Sequence, residues 1–301
     1  MPFLTLFSAP KSFGNPRIDM IQRNAIRSWL HLGPDVQVLL IGKEAGLAEV
    51  SAEYGVPLLS NVERNEQGTP LVNSIFSLAR QANSAPLLAY VNADILLLPD
   101  FPENARLIYQ QLSNFLVVGQ RWDLDVNCVL DFSEGWAARL KQEVQLRGKL
   151  HPPSGSDFFI FPKSVFEQIP DFAIGRAGWD NWMIYQARKQ GWQVVDATPS
   201  VLVIHQTHDY SHLPGGKPHY DLEESDHNME LAGGINRMYT VLDSDKQLID
   251  GQVRKPRFNL LRLARRLETW LMPDDLARQG PRWMLARKLR RWRRKQTGSL
   301  V

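Results

Sequence analysis

Apolar and polar positions along this chain follow two rhythms, a short one of continuous apolar runs and a longer one of apolar residues spaced three and four apart. Phe3 to Ser8 predicts a strand, and Ser8-Ala-Pro-Lys-Ser-Phe-Gly-Asn-Pro16 predicts the loop that follows it. Asn15 as N-cap and Pro16 at the first helical position then open a helix in which Ile18, Ile21, Ile26, Trp29 and Leu30 recur toward Gly33. The alternation repeats. Val36 to Ile41 predicts a strand, residues 44–54 a helix, and Val56 to Leu59 a short strand that Pro57 confines to an edge. Thr69-Pro70 starts a helix to about Gln81, and Pro86 to Val91 is the next strand. Strands alternating with helices at this spacing predict βαβ units and a mostly parallel sheet with helices on both faces.

One run departs from this simple reading. Pro86-Leu-Leu-Ala-Tyr-Val-Asn-Ala-Asp-Ile-Leu-Leu-Leu-Pro99 places Asn92 and Asp94 in an otherwise almost wholly apolar stretch. A lone carboxylate buried in such a strand costs several kcal/mol, so the strand is expected to end at Asn92 and to present Asp94 at the sheet edge. Open α/β sheets place their ligand sites at that edge.

Beyond it, residues 103–113 predict a helix and Phe115 to Val118 a strand, whereas residues 121–157, rich in Trp, Asp and Gly, show no regular period. Phe158 to Phe161 is again a strand. A helix around 181–190 ends at Gly191, Ser200 to Ile204 predicts the last strand, and His205-Gln-Thr-His-Asp-Tyr-Ser-His212 follows as a loop. The Gly, Pro and mixed charges of residues 213–235 predict a loop as well. Near the end, Leu260, Leu263, Ala264, Leu267, Trp270 and Leu271 fall at helical spacing, as do Leu285, Leu289 and Trp292, with arginines filling the opposite faces. Two amphipathic helices with a wet, basic side are expected.

Charge sharpens this division. Residues 251–301 carry 15 Lys and Arg against 3 Asp and Glu, a net of +12, and the remaining 20 basic and 29 acidic residues leave residues 1–250 at −9. The single cysteine, Cys128, excludes an intramolecular disulfide and a cysteine-based zinc cluster, which fits a reducing, cytoplasmic setting. The first residues lack the charged and apolar regions of a secretion signal, and no apolar segment is long enough to span a bilayer.

Three groups of residues could carry chemistry. Asn92 and Asp94 at a strand end suit a divalent cation that bridges two phosphates, since hard oxygen ligands match Mg²⁺ or Mn²⁺. Ala177-Gly-Trp-Asp-Asn-Trp182 opens a helix, where the macrodipole favours ionised Asp180 as a general base, flanked by Trp179 and Trp182 as the floor of a sugar site. His205 and His208, just past a buried strand, could complete a cation site begun by Asp94. Taken singly, each group also reads as caps, core indoles or satisfied edge histidines.

In this order the three groups resemble the nucleotide-sugar-dependent glycosyltransferases of GT-A fold, of the family 2-like kind. The resemblance covers roughly residues 1–245. It implies a catalytic domain over residues 1–250, with a nucleotide-binding half at 1–100 and an acceptor half at 101–250, followed by the basic helical tail 251–301. It also implies that Ser8, Ala9, Pro10 and Lys11 approach the base and ribose, that Asn92 and Asp94 form the metal motif, and that His205 or His208 supplies a later ligand. Asp180 would be the catalytic carboxylate, and Asp157 in Ser154-Gly-Ser-Asp157, with Trp179, Asn181 and Trp182, would line the acceptor and donor-sugar side. Two positions depart from the pattern, since Asn92 stands where the metal motif has an acid and Asn181 stands where the later motif has a second one. The implied activity is metal-dependent, inverting sugar transfer from a nucleoside diphosphate sugar to a glycan or lipid-linked acceptor. The alternatives are a sugar-phosphate nucleotidyltransferase and a binding protein without turnover. Arginines interleaved with Trp and Leu in the tail suit an anionic membrane surface best, packing of the helices on the acidic body with a solvated terminal run next, and nucleic acid least.

Overall fold

The two rhythms resolve into two sheets that share one polypeptide turn. The protein was analysed as a computed structural model that describes residues 1–154, 156–208, 222–272 and 279–297. In chain order the elements are β1 (Leu4–Ser8), α1 (Pro16–Leu30), β2 (Val36–Ile41), α2 (Leu47–Tyr54), β3 (Leu58–Leu59), α3 (Val72–Gln81) and β4 (Leu87–Val91). Then follow β5 (Ile95–Leu96), α4 (Phe101–Gln111), β6 (Phe115–Val118), β7 (Trp122–Leu124), α5 (Trp136–Arg147), β8 (Lys149–Leu150) and β9 (Phe158–Pro162). The last are α6 (Trp179–Lys189), β10 (Gln193–Asp196), β11 (Ile204–Gln206), α7 (Glu223–Leu231), β12 (Lys246–Ile249), β13 (Gln252–Arg254), α8 (Leu260–Leu271) and α9 (Gly280–Thr297).

The large sheet has nine strands in the order β13-β12-β10-β6-β9-β4-β1-β2-β3. β1 pairs in parallel with β2 and β4, while β9 runs antiparallel between β4 and β6. Its central strands are buried on both faces because helices cover both. Leu4, Leu6, Leu87 and Ala89 pack toward α1 and α4, and Phe7, Leu88, Tyr90, Phe159 and Phe161 pack toward α3 and α6. As expected, Asn15 caps α1, its side chain accepting hydrogen bonds from the N–H groups of Arg17 and Ile18.

The small sheet, in the order β5-β11-β7-β8, lies where no regular strand was expected. The irregular stretch 121–157 contains β7, α5 and β8. The strand expected at 200–204 is displaced: β10 supplies the large-sheet strand, and Ile204–Gln206 joins the small sheet, with His205 inside the strand instead of in the loop after it. Within residues 213–235, described from residue 222, Glu223–Leu231 is helical, and residues 213–221 and 212 lie outside the described residues. Asn228 explains the helix: its buried side chain donates to Ala173 O at 3.0 Å and accepts from Ala173 N at 2.9 Å, which anchors α7 beside the start of α6.

At the other end, the boundary expected at residue 250 falls inside a hairpin. β12 and β13 pair antiparallel through Leu248 and Val253, so the large sheet extends to Arg254. No helix among the described residues is long and apolar enough to cross a membrane.

Candidate active site

Asn92 to Ile95 forms the turn that leaves the large sheet and enters the small one. Ile95 N donates to Asn92 O at 3.1 Å, and Gln206 N of β11 holds Asp94 O at the same distance. Gln206, fully buried, also donates to Ile21 O at 2.8 Å and accepts from Asn24 of α1 at 3.1 Å, so the turn is braced from three sides. Asp94 is thereby fixed at the carboxyl end of β4, beside the carboxyl end of β1.

Two imidazoles face it. His208 Nε2 lies 3.0 Å and His205 Nε2 3.8 Å from Asp94 Oδ2, and ligating atoms of the three residues all lie within 4.8 Å of one another. His205 is oriented from behind, because β11 and β7 place it in register with Asp123 and its Nδ1 lies 3.1 Å from Asp123 Oδ1. A proton held on Nδ1 by Asp123 leaves the Nε2 lone pair free for a cation. Asp123 is itself clamped by His151 Nδ1 at 2.7 Å and Arg121 Nε at 2.9 Å.

Burial alone would push the Asp94 carboxyl up, but the charges of His205 and Lys11 and the hydrogen bond to His208 outweigh it and hold the group well below the usual carboxylate range. Asp123 follows the same logic, with His151, His205 and Arg121 overcoming its desolvation. The donor set fits a divalent cation on a structural ground: among the described residues, Asp94 Oδ1 is buried and accepts no hydrogen bond. A carboxylate with two imidazoles favours a first-row ion such as Mn²⁺ over Mg²⁺, which prefers oxygen ligands and its own water.

The start of α6 packs against β4, where Trp179 meets Tyr90. Gly178 at φ 109°, a left-handed conformation open to glycine, turns the chain into the helix two residues before Asp180. Burial drives the Asp180 carboxyl up to about 6, with the charge of Asp157 adding to it, against the stabilising backbone N–H groups at the helix start. The Tyr90 hydroxyl donates to Asn92 Oδ1 at 2.9 Å. Burial, together with the charges of Asp94, Asp157 and Asp180, pushes that phenol above its ordinary range.

No protein-family model matches the sequence, and no curated protein matches it. Solved structures do. The 1–349 portion of TarS from S. aureus in complex with UDP-GlcNAc aligns over 95% of this chain and 79% of that one, with TM-score 0.51 and 10% identity. Another structure of TarS 1–349 aligns over 99% and 92%, with TM-score 0.50 and 10% identity. Glucosyl-3-phosphoglycerate synthase from Mycobacterium tuberculosis, in complex with Mn²⁺, UDP and phosphoglyceric acid, aligns over 78% and 80%, with TM-score 0.47 and 14% identity. The chain has the GT-A fold.

On this GT-A frame the residues singled out in the sequence separate into two groups. Asn92, Asp94, Asp157, His205 and His208 come together at the carboxyl end of β4, and the charge of Asp180 is felt there at Tyr90. Asp157 receives Arg121 Nη1 at 2.8 Å and Asn92 Nδ2 at 2.7 Å, so it fixes Asn92 from the residue just before β9. Ser8 closes β1 with its hydroxyl buried and, among the described residues, without a hydrogen bond, and Ala9, Pro10 and Lys11 continue from it. The Lys11 backbone is clamped at both its N–H and its carbonyl by Gln22 of α1.

The two tryptophans do not form a floor for a sugar. Trp179 is 5% and Trp182 6% exposed; the first ring packs among Phe76, Tyr90 and Phe159 and the second against Phe172, beneath the helix start. Being indoles next to buried aromatics, they gain more from the core than from a wet rim. Asn181 donates to Ser154 O at 2.9 Å and to Tyr239 O at 2.7 Å, joining two loops instead of facing the cleft. Gly155 of the Ser154 segment lies outside the described residues.

Sequence reasoning missed Tyr90, Arg121, Asp123 and His151, which hold the cleft residues in place. It also missed Glu224 at the start of α7, which accepts from Asn65 at 2.7 Å and Arg176 at 2.6 Å and ties the 60–70 loop to the cleft rim. The only local signal was the alternation Trp122-Asp-Leu124, too short to separate from loop.

Proposed function

We propose that this chain transfers a sugar from a nucleoside diphosphate sugar to a hydroxyl of a glycan or lipid-linked glycan, with inversion at the anomeric carbon. The observation that carries this reading is the cluster of Asp94, His205 and His208 at the carboxyl end of β4, with Asp94 held ionised beside two imidazoles; Asp180, raised to about 6 at the start of α6, is the candidate base. A divalent cation on Asp94, His205 and His208 would supply positive charge against the leaving diphosphate. The acceptor oxygen bonds to the anomeric carbon as the bond from that carbon to the diphosphate oxygen breaks, and the acceptor proton passes to the Asp180 carboxylate. In this reading Ser8 to Lys11 receive the base and ribose, Asn92 positions the Asp94 turn through Tyr90 and Asp157, and Asp123 positions His205. Residues 1–100 then serve the nucleotide, residues 101–250 the acceptor and the later cation ligands, and the tail 251–301 offers only its exposed apolar side to an anionic membrane.

TarS, whose fold this chain shares, binds UDP-GlcNAc, so UDP sugars are the first donors to screen. Incubating the protein with a panel of UDP and GDP sugars and Mn²⁺ is expected to release free nucleoside diphosphate. EDTA, Asp94→Ala and Asp180→Asn should each stop the release while the folded circular dichroism spectrum is retained. Release of pyrophosphate from a nucleoside triphosphate and sugar phosphate, or near-normal turnover by either variant, would overturn the assignment.

A further inference from the structure

The tail helix α8 is turned inside out. Three of its four charged residues are buried: Arg262, Arg265 and Glu268 are 7%, 4% and 1% exposed. Arg262 donates to Asp196 at the end of β10 and to the carbonyls of Val241, Leu242 and Ser244. Arg265 bridges both oxygens of Asp243 at 2.9 Å and donates to Met238 O at 3.0 Å. Glu268 gathers Arg265 of its own helix and Arg290 and Arg293 of α9. This is the reverse of the wet basic side expected from the sequence.

The apolar stripe is left outside. Leu260, Leu263, Leu267 and Trp270, at i, i+3, i+7 and i+10, are 61%, 43%, 43% and 71% exposed, and Phe258 just before them is 80% exposed. On α9, Met284, Leu285 and Trp292 are likewise exposed. Eight of the fourteen large apolar residues exposed among the described residues fall between 258 and 292. Such a concentration marks an interaction surface, and basic side chains surround it: Lys255, Arg257 and Arg266 beside α8, and Lys288, Arg291 and Lys295 on the exposed arc of α9.

We infer that the outward face of α8 and α9 docks into the surface of an anionic lipid bilayer, with leucines and tryptophans entering the headgroup boundary and the surrounding Lys and Arg meeting lipid phosphates. Charge complementarity selects this occupant. A second copy would have to bring its own +12 tail against this one, and nucleic acid would find its arginines interrupted by aliphatic side chains it cannot use. The face is also tied to the cleft. Arg265 holds the carbonyl of Met238, and the next carbonyl, Tyr239, holds Asn181, the neighbour of Asp180. A lipid surface held by α8 and α9 deepens the acceptor reading above to a lipid-linked one and rests on it for that step only.

Co-sedimentation of the full chain with vesicles of phosphatidylcholine alone, or with about one third phosphatidylglycerol, tests the docking without reference to turnover. Binding is expected to the anionic vesicles, weakened by salt and reduced at least about tenfold in Leu263→Glu/Leu267→Glu, since each leucine removed from lipid forfeits most of its burial. Wild-type melting temperature and nucleoside diphosphate release in that variant would show the fold and the cleft to be intact. Equal binding by variant and wild type, binding to neither vesicle, or a dimer in solution that the variant dissolves without any vesicle binding would each overturn the docking. Release of nucleoside diphosphate by protein that ignores vesicles would leave the transferase reading standing alone.

Discussion

The large and small sheets differ in what their side chains do. In the large sheet, β1, β4, β6 and β9 are apolar and fully covered, and their residues hold the molecule together. The small sheet has strands of two or three residues, yet Asp123 and His205 sit in its register and Asp94 enters it. One sheet supplies stability and the other supplies placement. The cleft lies where the chain passes from the first to the second.

The comparison can be broken most sharply from its stable side. Phe159→Ala, in the middle of β9 against Tyr90 and Trp179, should cost about 3–5 kcal/mol and lower the unfolding midpoint markedly in a denaturant titration. On the other side, Asp94→Ala is expected to lower diphosphate release by on the order of a thousandfold or more with little change in that midpoint. Asp123→Asn should weaken Mn²⁺ binding, read by titration calorimetry, by about 10- to 100-fold, because His205 loses the partner that fixes its ring. A large stability loss in this variant, with unchanged Mn²⁺ affinity, would show the small sheet to be scaffold.

The smallest effect has the opposite sign. Asp180 is raised to about 6 from 3.8, so the native state favours its protonated form. That contribution is complete below about pH 3.8 and is lost as pH rises through 6, which leaves an ionised, desolvated carboxylate as a cost at neutral pH. Asp180→Asn removes the cost and should stabilise the protein at pH 7.5 by about 1–2 kcal/mol while ending turnover. Wild-type turnover should fall as pH drops through about 6.

The same contrast explains what the sequence revealed. Strands of the large sheet announce themselves because burial on both faces demands continuous apolar runs, as in Leu87–Val91 and Phe158–Pro162. Asp94 stood out because it interrupts such a run. Asp123, His151 and Arg121 did not, since their roles depend on a tertiary register that brings residues 121–123, 151 and 205 together, and no periodicity records a pairing across 82 positions. The indoles of Trp179 and Trp182 misled in the other direction: composition cannot tell a ring that faces sugar from one that supports the helix beneath it. The tail misled through its pattern, which read correctly as amphipathic and gave no sign of which face turns inward.

Arg262 and Arg265 make the tail a counter-ion for the body. A chain cut at residue 250 would lose β13 from the sheet edge and leave the Asp196 and Asp243 side chains, 4% and 6% exposed, without their guanidinium partners. Truncation would then act as two buried charge deletions, each of the kind that costs several kcal/mol. Body and tail are in this sense a single cooperative unit, and the acidic excess of the first 250 residues is matched in part by basic groups that fold back onto it.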